Sequence, residues 1–505
     1  MEMLDGAFEY IILGGGSAGC ILASQLADQL PNARILLLEA GEAVSPDNQT
    51  VWDPTQWLLV SQDANLEWGY RSVPQAQLDN RVIQMGRAKA LGGCGVHNGM
   101  VYVRGGKYGF DEWARSGCVG WDYQSVLPYF KWVESKFHVT TASGDPFISD
   151  LVMACQNLGI PHNPDYNISS SEFGVASFQF LVNPQMRRET SYSAFLEGKA
   201  YPNLVIASQS RFERIVFDVH KRAAGVVVTN LRTHQQLEVS ARREILVCAG
   251  AIGSPHLLLL SGVGPAGHLR DLGVPVVSNL PGVGENFQDD LFVTGLFSSK
   301  QPMPPQPYGL MGAVIFTATA PSTLPELTDV ECSLSSGTMP GMAMPQAWQQ
   351  SYLIYPNLQR LKSRGSISLA DTHPATPPVI DPRFLTAPGD LERCIFGVKL
   401  ARSIGGNGAL SNWFSEEVFP GPHVRTDAEI EAYVRSSANT CYHYAGTCKM
   451  GVDDMAVVTP DLKVKGVDGL RVIDASIIPV TVSGNTAAAT MMIAAKGADL
   501  VLADY

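Results

Sequence analysis

Two residues near the carboxyl end of the chain carry side chains suited to removing a proton from a small molecule. His443 lies in the loop sequence CYHYAGTCKMG, and Asn485 lies in SGNTAAATMMIAAKGADLV, where an alanine-rich run predicts a helix that begins at Asn485 or Thr486. A histidine can accept a proton, and an amide can donate a hydrogen bond to an oxygen that is losing one. Taken alone, His443 fits a packed loop histidine equally well. Beside Asn485, it is typical of a site that handles an alcohol.

A second candidate histidine, His97, lies in the glycine-rich stretch LGGCGVHNG, from Leu91 to Gly99. Glycine allows backbone to approach a flat or charged group closely. The stretch is therefore suited to contact a bound ligand, and its residues need a framework that positions them.

The amino-terminal segment predicts such a framework. The apolar run FEYIIL, the glycine-rich turn GGGSAG, a run with leucines at helical spacing and the apolar run ARILLLEAG indicate a strand, a turn, a helix and a second strand. Gly14, Gly16 and Gly19 form the pattern G-x-G-x-x-G, and Glu39 ends the second strand. In this context the pattern predicts a dinucleotide site, with a pyrophosphate at the helix amino terminus and Glu39 on ribose hydroxyl groups. The alternative is a tight turn in another doubly wound fold.

The same residues also match the nucleophile motif G-x-S-x-G of serine hydrolases, with Ser17 as nucleophile and His443 as partner. Its position argues against a hydrolase. The motif follows the first strand, and no earlier segment is available to build an oxyanion hole.

Composition limits the class of protein. A chain of 505 residues predicts two domains, and a net charge of −12 argues against binding to nucleic acid. The amino terminus lacks the pattern of a signal peptide, and no apolar stretch is long enough to cross a bilayer. Nine dispersed cysteines without a C-x-x-C pair predict a reduced, cytoplasmic protein with no metal site.

The middle of the chain returns to the nucleotide-binding sheet and then changes character. The sequence REILVCAGAIGSPHLLLLSGVGP predicts a buried strand, a glycine turn and a short helix from Ser254. From about Leu296, proline and methionine rise, and RGSISLA alternates apolar and polar residues, which predicts a second, antiparallel domain. The methionine-rich stretches KQPMPPQPYGLMG and GTMPGMAMPQAW could line an adaptable pocket, although core or loop filling explains most of these methionines.

Together these motifs resemble the glucose-methanol-choline (GMC) oxidoreductases, flavoenzymes that oxidise alcohols. The match covers almost the whole chain and includes, in order, the fingerprint with LLLEAGE, GRAKALGGCGVHNGMVYVRG, GAIGSPHLLLLSGVGP, LKSRGSISLADTHPATPPVIDPRFL in the substrate-domain sheet, HYAGTCKMG, and RVIDASIIPVTVSGNTAAATMMIAAKGADL. The resemblance implies an α/β fold, with an FAD-binding Rossmann-like domain and a second, α+β substrate domain built on an antiparallel sheet. The expected FAD-binding domain comprises residues 1–145, 196–294 and 444–505, and the expected substrate domain comprises residues 146–195 and 295–443.

The resemblance also implies roles by position. The FAD-binding residues it implies are Gly14, Gly16, Ser17, Ala18, Gly19, Glu39, Ala40, Gly92, Gly93, His97, Asn98, Gly99, Met100, Val101, Phe212, Asp474, Ala475, Thr486 and Ala487. His443 and Asn485 match the catalytic pair. The implied reaction is oxidation of a primary alcohol to an aldehyde, with hydride transfer to flavin N5, His443 as base, and O2 or a quinone-type acceptor as oxidant.

Three features stay open at this stage. A non-redox lyase of the same fold, like the flavin-dependent hydroxynitrile lyases, would share every binding motif. The sequence QDD at Gln288–Asp290 departs from the usual Gln-Asp-His, with no predicted consequence. In one member of the family, choline oxidase, a histidine at the place of His97 is bonded to the 8α-methyl group of FAD. Here Gly95 and Val96 replace two serines of that loop, and His97 either forms the bond or only packs on the flavin ring.

Overall fold

The computed structural model describes residues 4, 6–142, 144–168, 171–304, 308, 311–319, 327–336 and 350–505. Its strands, in chain order, are β1 (Phe8–Leu13), β2 (Ile35–Leu38), β3 (Val139–Thr141), β4 (Gly174–Ser177), β5 (Gln179–Leu181), β6 (Leu204–Ala207), β7 (Ser210–Phe217), β8 (Ala223–Asn230), β9 (Gln236–Val247), β10 (Val263–Gly264), β11 (Ser278–Asn279), β12 (Leu291–Phe292), β13 (Gly295–Ser299), β14 (Met311–Thr317), β15 (Val330–Ser336), β16 (Ser351–Leu358), β17 (Ser366–Ser368), β18 (Val379–Asp381), β19 (Phe414–Phe419), β20 (Asn439–Thr440) and β21 (Leu470–Val472).

The helices, in the same order, are α1 (Ser17–Gln29), α2 (Gln49–Trp52), α3 (Trp57–Val60), α4 (Lys107–Arg115), α5 (Tyr123–Glu134), α6 (Pro146–Asn157), α7 (Ser191–Phe195), α8 (Gly250–Leu260), α9 (Ala266–Asp271), α10 (Asp390–Gly405), α11 (Asp427–Ser437) and α12 (Thr486–Ala503). Short 3₁₀ turns span Pro54–Gln56, Ala76–Leu78, Gly93–Val96, Gly408–Leu410 and Ala475–Ile477.

The predicted strand–helix–strand unit is present as β1, α1 and β2. Within the described residues it belongs to a seven-stranded sheet with the order β6-β2-β1-β9-β8-β7, in which β21 also pairs with β9. Strands β2, β1, β9 and β21 run parallel, so their carboxyl ends meet at one edge of the sheet. Ligands of doubly wound sheets bind at such an edge. This arrangement confirms the predicted α/β fold.

The helix that follows β9 begins earlier than the sequence predicted. The sequence predicted a short helix from Ser254, whereas α8 begins at Gly250. Gly250 has a left-handed φ of 77°, and its N–H donates to Asp474 at 2.8 Å. Asp474, more than 200 residues away in the sequence, thus accepts a hydrogen bond from the first residue of α8. The glycines of this segment predicted a turn up to Ser254, because the sequence does not reveal this distant partner.

The second sheet confirms the predicted antiparallel domain. Within the described residues it has eight strands in the order β19-β13-β16-β15-β14-β4, with β12 paired to β16 and β20. The alternating segment RGSISLA lies outside this sheet, since β17 pairs only with β18 in a two-stranded ribbon, and its predicted place in the main sheet is wrong. Most of the methionine-rich stretches, including Met339, Met342 and Met344, lie outside the described residues.

The carboxyl-terminal helix α12 begins at the predicted position and lies in the core. By length and composition it is apolar enough to cross a membrane, so the prediction that no segment is long enough was wrong for α12. However, 56% of its apolar window is buried within the protein, and it packs on α1 and α5. Burial in a core accounts for its apolar composition.

Candidate active site

The glycine fingerprint places backbone against backbone at the carboxyl edge of the first sheet. A Cβ on Gly14 would lie 2.4 Å from the carbonyl oxygen of Cys248, and a Cβ on Gly19 would lie 1.9 Å from that of Gly14. Both positions therefore require glycine. The next residues, Ser17 and Ala18, open α1, and no side chain caps this helix at Gly16. Its amino terminus is thus available to an anion such as a pyrophosphate.

The carboxylate of Glu39 lies beside this turn, directly after β2. It accepts the N–H groups of Gly15 and Gly41, each at 2.8 Å. Burial raises the pKa of Glu39 to about 7, although these hydrogen bonds oppose the shift. A cavity of about 540 Å³ adjoins Glu39 and is lined by residues that include Ala40 and Gln209. The site therefore offers room and a hydrogen-bond acceptor at the position predicted for a nucleoside.

The first residues of β7 are tied to the same place. Ser210 donates its N–H to the carbonyl of Glu39 at 2.8 Å, and Gln209 donates to that of Gly41 at 3.0 Å. Phe212 lies two residues farther along β7 from the Glu39 contact, and its role in binding FAD stays a prediction.

The glycine-rich loop around His97 packs on the fingerprint. Gly92 donates its N–H to the carbonyl of Gly15 at 2.8 Å. A Cβ on Gly93 would lie 2.7 Å from the Cα atom of Gly16, so the two loops touch through their backbones. The structure thus places Gly92 and Gly93 against the predicted pyrophosphate turn.

A buried arginine, not predicted from the sequence, holds the next part of this loop. The Nη1 atom of Arg188 donates to the carbonyl groups of Gly95 and Asn98, at 3.1 and 2.6 Å, and Arg188 has no exposed surface. Asn98 Oδ1 also accepts the N–H of Met100, at 2.9 Å. Arg188 also donates from Nε to the carbonyl of Val51 at 2.9 Å, so it ties this loop to the segment around Val51, while its Nη2 atom has no partner among the described residues.

The segment after Asn98 runs beside β5. Met100 adopts a left-handed φ of 59° and accepts a hydrogen bond from Leu181 at 2.9 Å, and Val101 bridges to Phe180. At Gly99, an added Cβ would lie 2.8 Å from the terminal methyl group of Met311, a flexible side chain that would have to shift. Strained backbone of this kind persists where surrounding structure holds it.

His97 is buried in a cluster of charged groups. Its Nδ1 atom lies 2.7 Å from Glu67 Oε1, and the Arg87 guanidinium lies 3.5 Å from Cys94 Sγ. Burial alone would lower the pKa of His97, but its contacts with Cys94 and Glu67 raise the pKa above its usual value. Burial likewise would raise the pKa of Cys94, but Arg87 and His97 lower it. Although His97 Nδ1 and Glu67 Oε1 are close, neither has a hydrogen-bond partner among the described residues, so Glu67 acts on the ring by charge rather than through a directed hydrogen bond.

The second histidine, His443, lies in a loop held by antiparallel pairing. Gln288 exchanges two backbone hydrogen bonds with Ala445, and Leu291 pairs with Thr440. Between these pairings, residues 289–290 face residues 441–444, so the longer segment bulges and carries His443. Because of this pairing, the two aspartates after Gln288 lie beside the histidine.

Those two aspartates hold different parts of His443. Asp289 Oδ1 accepts the backbone N–H at 3.0 Å, and Asp290 Oδ2 lies 2.9 Å from the ring atom Nδ1. A carboxylate only accepts, so Nδ1 carries the proton. Burial alone would lower the pKa of His443, but Asp290, with the nearby charges of Glu331 and Asp289, raises it.

Asn485 completes the arrangement from the first residue before α12. Its Nδ2 atom lies 3.0 Å from His443 Nε2, whereas its Oδ1 atom is buried without a hydrogen-bond partner. Thr486 and Ala487, predicted to contact the cofactor, form the first turn of this helix. The structure thus brings His443 and Asn485 together, although 42 residues separate them in the chain.

The remaining predicted residues, Asp474 and Ala475, follow β21 at the edge where Gly14 and Glu39 lie. Asp474 Oδ2 accepts from Gly250 N–H and the Ser254 hydroxyl, at 2.8 and 2.5 Å. The Asp474 carboxylate thus faces the start of α8 in this structure. A role toward a ribityl chain would use its remaining acceptor capacity.

The assembled features fit FAD. An uncapped helix start, glycines that exclude any side chain, and Glu39 beside a cavity suit the adenosine diphosphate half. Near the place predicted for the flavin half, Asn485 Oδ1 is a buried acceptor without a hydrogen-bond partner, as expected where a polar ligand binds.

Comparisons with known proteins agree with this geometry. Residues 8–292 and 362–494 match two models of the family described as GMC oxidoreductase. Proteins named oxygen-dependent choline dehydrogenase are similar to the chain: that of Ectopseudomonas mendocina is 34% identical over 98% of this chain and 94% of the relative, and that of Burkholderia multivorans is 35% identical over 99% and 94%.

Among solved structures, pyridoxine 4-oxidase from Mesorbium loti superposes with a TM-score of 0.90 at 28% identity, covering 97% of this chain and 98% of that one. A formate oxidase from Aspergillus oryzae RIB40 superposes with a TM-score of 0.91 at 22% identity, covering 99% of each chain, and it supports the fold alone. The comparisons do not support the serine hydrolase or lyase alternatives. The chain belongs to the GMC oxidoreductase family and is an FAD-dependent alcohol oxidoreductase.

Proposed function

We propose that the protein oxidises a primary alcohol to an aldehyde, with His443 as the base and Asn485 as the hydrogen-bond donor to the alcohol oxygen. The observation that carries this proposal is the 3.0 Å contact between His443 Nε2 and Asn485 Nδ2, in a buried site where Asn485 Oδ1 has no partner. The bound FAD would supply the hydride acceptor.

The two side chains divide the work on the alcohol oxygen. An alcohol holds its proton too tightly at neutral pH to lose it unaided. His443 Nε2 can take that proton, whereas the Asn485 amide can only donate to the oxygen as negative charge develops there. In the structure, Asn485 Nδ2 donates a hydrogen bond to His443 Nε2. An alcohol oxygen would sit between them, as a proton donor to Nε2 and an acceptor from Nδ2.

An anaerobic screen of primary alcohols tests the proposal. Mixing the holoenzyme with its substrate is expected to bleach the flavin absorbance, and His443→Ala is expected to slow that bleaching by about 10²–10⁴-fold while FAD stays bound. Choline is the first alcohol to test, because relatives are named for it. If the His443→Ala protein bleaches at the wild-type rate, the base lies elsewhere.

The electron acceptor is part of the same proposal. The names of the relatives favour O2, with a quinone-type acceptor as the alternative. Hydrogen peroxide formation in air, compared with reduction of a quinone under argon, separates the two.

We also propose a covalent bond between a ring nitrogen of His97 and the 8α-carbon of FAD. One hydrogen leaves the imidazole, one leaves the methyl group, and an oxidant such as O2 takes the two electrons. The carboxylate of Glu67, 2.7 Å from His97 Nδ1, supports this, since it can take the imidazole proton. Acid precipitation is expected to leave a yellow pellet for the wild type and a colourless pellet for His97→Ala. A colourless wild-type pellet would exclude the bond.

The domain boundaries and the compartment remain proposals. Residues 1–145, 196–294 and 444–505 would form the FAD-binding domain, and the rest the substrate domain. All nine cysteines, each among the described residues, are free, which supports a reducing compartment such as the cytoplasm.

A further inference from the structure

Asp290 is buried beside the proposed base, and its carboxylate lies 2.9 Å from a ring nitrogen of His443. We propose that Asp290 is a positioning residue for alcohol oxidation: it accepts the Nδ1–H of His443 and thereby presents Nε2 of the same ring, unprotonated, to the alcohol. This inference rests on the proposed function of His443.

The contacts of Asp290 leave one protonation pattern for the ring. Its Oδ2 atom lies 2.9 Å from His443 Nδ1, and its Oδ1 atom accepts the N–H of Arg360 at 3.1 Å. The side chain has no exposed surface. Because the carboxylate can only accept, the proton of the neutral imidazole lies on Nδ1, and Nε2 keeps its lone pair.

The contact at the other ring nitrogen agrees with this pattern. Asn485 Nδ2 lies 3.0 Å from His443 Nε2, and an amide nitrogen only donates. The two neighbours of the ring, from separate parts of the chain, thus specify the same tautomer. The opposite tautomer would place two donors against each other at Nε2 and leave two acceptors facing at Nδ1.

The adjacent aspartate has a different role, which provides a matched control. Asp289 Oδ1 accepts the backbone N–H groups of His443 and Asp290, at 3.0 and 2.9 Å, and its Oδ2 accepts the Thr440 hydroxyl at 2.5 Å. Asp289 holds the loop, whereas Asp290 holds the ring. The same substitution at the two positions therefore separates loop support from ring positioning.

Asp290 also provides a counter-charge for the product of proton transfer. When Nε2 takes the proton, the buried ring becomes an imidazolium, which is costly without an opposite charge nearby. Other charged groups near this pocket include the carboxyls of Asp289 and Glu331, the Arg87 guanidinium, which interacts with Asp289, and the Arg364 guanidinium, which interacts with Asp290. Of these acidic groups, only Asp290 contacts Nδ1 directly.

The first test is the pH dependence of flavin bleaching by a saturating alcohol. In the wild type the rate is expected to fall at low pH as His443 becomes protonated. Asp290→Asn is expected to lower the plateau rate by about 10²-fold or more, as in other enzymes where a carboxylate orients a catalytic histidine. It is also expected to move the acid limb of the profile about 1 to 3 pH units lower, because an adjacent opposite charge raises a pKa by that amount.

The second test reads His443 without any substrate. Deuterium exchange at the imidazole C2 position, followed by mass spectrometry, reports the pKa of a histidine in its own peptide. Cleavage after Arg435 and Lys449 yields a peptide in which His443 is the sole histidine. Asp290→Asn is expected to lower this pKa, whereas Asp289→Asn is expected to lower it less. Asp290→Glu, which keeps the carboxylate, is expected to restore most of the wild-type value.

The outcomes separate this inference from the proposed function. Slower bleaching in Asp290→Asn, with the acid limb and the exchange-derived pKa unmoved, would mean general structural support and would overturn the positioning role. The positioning role would also be overturned if Asp290→Asn matched the wild type both in the rate and pH profile of flavin bleaching and in the exchange-derived pKa of His443. If none of the alcohols tested bleaches the flavin of the wild-type enzyme, the proposed function itself is overturned, whatever the Asp290 variants do. Should Asp290→Asn not fold, Asp290→His, which also removes the negative charge, is measured in its place with the same expected shift.

Discussion

At the scale of single residues, His97 and His443 each have a carboxylate close to one ring nitrogen. Each is a buried histidine with a carboxylate against Nδ1: Glu67 at 2.7 Å and Asp290 at 2.9 Å. The Asp290 contact is a hydrogen bond and fixes the ring of His443, whereas the Glu67 contact brings a negative charge close to His97 without hydrogen-bond geometry. We expect Nε2 to serve as a proton acceptor in His443, and the ring of His97 to serve as an anchor for the cofactor. The motifs indicated both histidines, but Glu67 was not predicted and Asp290 was noted only as a departure from the family pattern, because folding alone brings each carboxylate to its histidine.

Glu39 carries a prediction about pH and stability at this scale. Burial raises its folded-state pKa from 4.5 to about 7, so the protonated form is favoured on folding. The resulting stabilisation is fully present below about pH 4.5 and is lost as the pH rises through about 7. Relative to Glu39→Gln, the wild-type apoprotein is therefore expected to lose about 3 kcal/mol of stability over this range.

Urea unfolding of both apoproteins at pH 5 and pH 8 measures this difference. The glutamine variant is the control, because it keeps the shape of the side chain and cannot ionise. Parallel changes in the two free energies of unfolding would contradict the prediction.

At the scale of elements, helix α12 begins without a side-chain hydrogen bond from its N-cap residue. An asparagine at this position usually accepts a hydrogen bond from the first turn of its helix, but no such bond forms at Asn485. Its amide faces His443 instead. Helix α11 shows the ordinary case, since Thr426 and Glu429 form a reciprocal capping box. The difference indicates that Asn485 is placed for the site rather than for the helix.

A comparison of two alanine variants tests this interpretation. Thr426→Ala is expected to destabilise the protein by about 1 kcal/mol, the usual cost of losing a helix cap. Asn485→Ala is expected to cost less, since it removes no cap and also removes a buried oxygen without a partner. It is nevertheless expected to slow flavin bleaching by about 10²-fold, as for loss of a donor to a developing oxyanion. Equal destabilisation by both changes, in chemical unfolding, would argue against this interpretation.

Some helices and strands could be predicted from the sequence, and others could not. The unit from β1 to β2 was predictable because apolar periodicity and glycine spacing are local. The start of α8 at Gly250 was not, because its N–H is satisfied by Asp474 from the far end of the chain. The ribbon β17–β18 was misassigned because alternation identifies a strand and says nothing about its partner.

At the scale of the whole molecule, the site depends on both sheets. His443 and Asp290 come from segments beside β20 and β12 in the antiparallel sheet, whereas Asn485 precedes a helix that packs in the core with the parallel sheet. The sequence predicted the two sheets and the family, but the meeting of these residues depends on long-range pairing. A cofactor that contacts the parallel sheet and the loop around His97 would be expected to stabilise the fold as a whole.

This dependence gives a prediction that also tests the bond to His97. A ligand that binds only the folded state stabilises it by about 2.7 kcal/mol at a free concentration 100 times its Kd. In His97→Ala, where FAD is held without a bond, the free energy of unfolding is expected to rise with added FAD by this amount. In the wild type, a bonded cofactor cannot exchange, so added FAD is expected to leave the unfolding transition unchanged. Denaturation of both proteins across a series of FAD concentrations measures the effect, and a wild-type transition that rises in parallel with that of His97→Ala would show that the cofactor is held without a covalent bond.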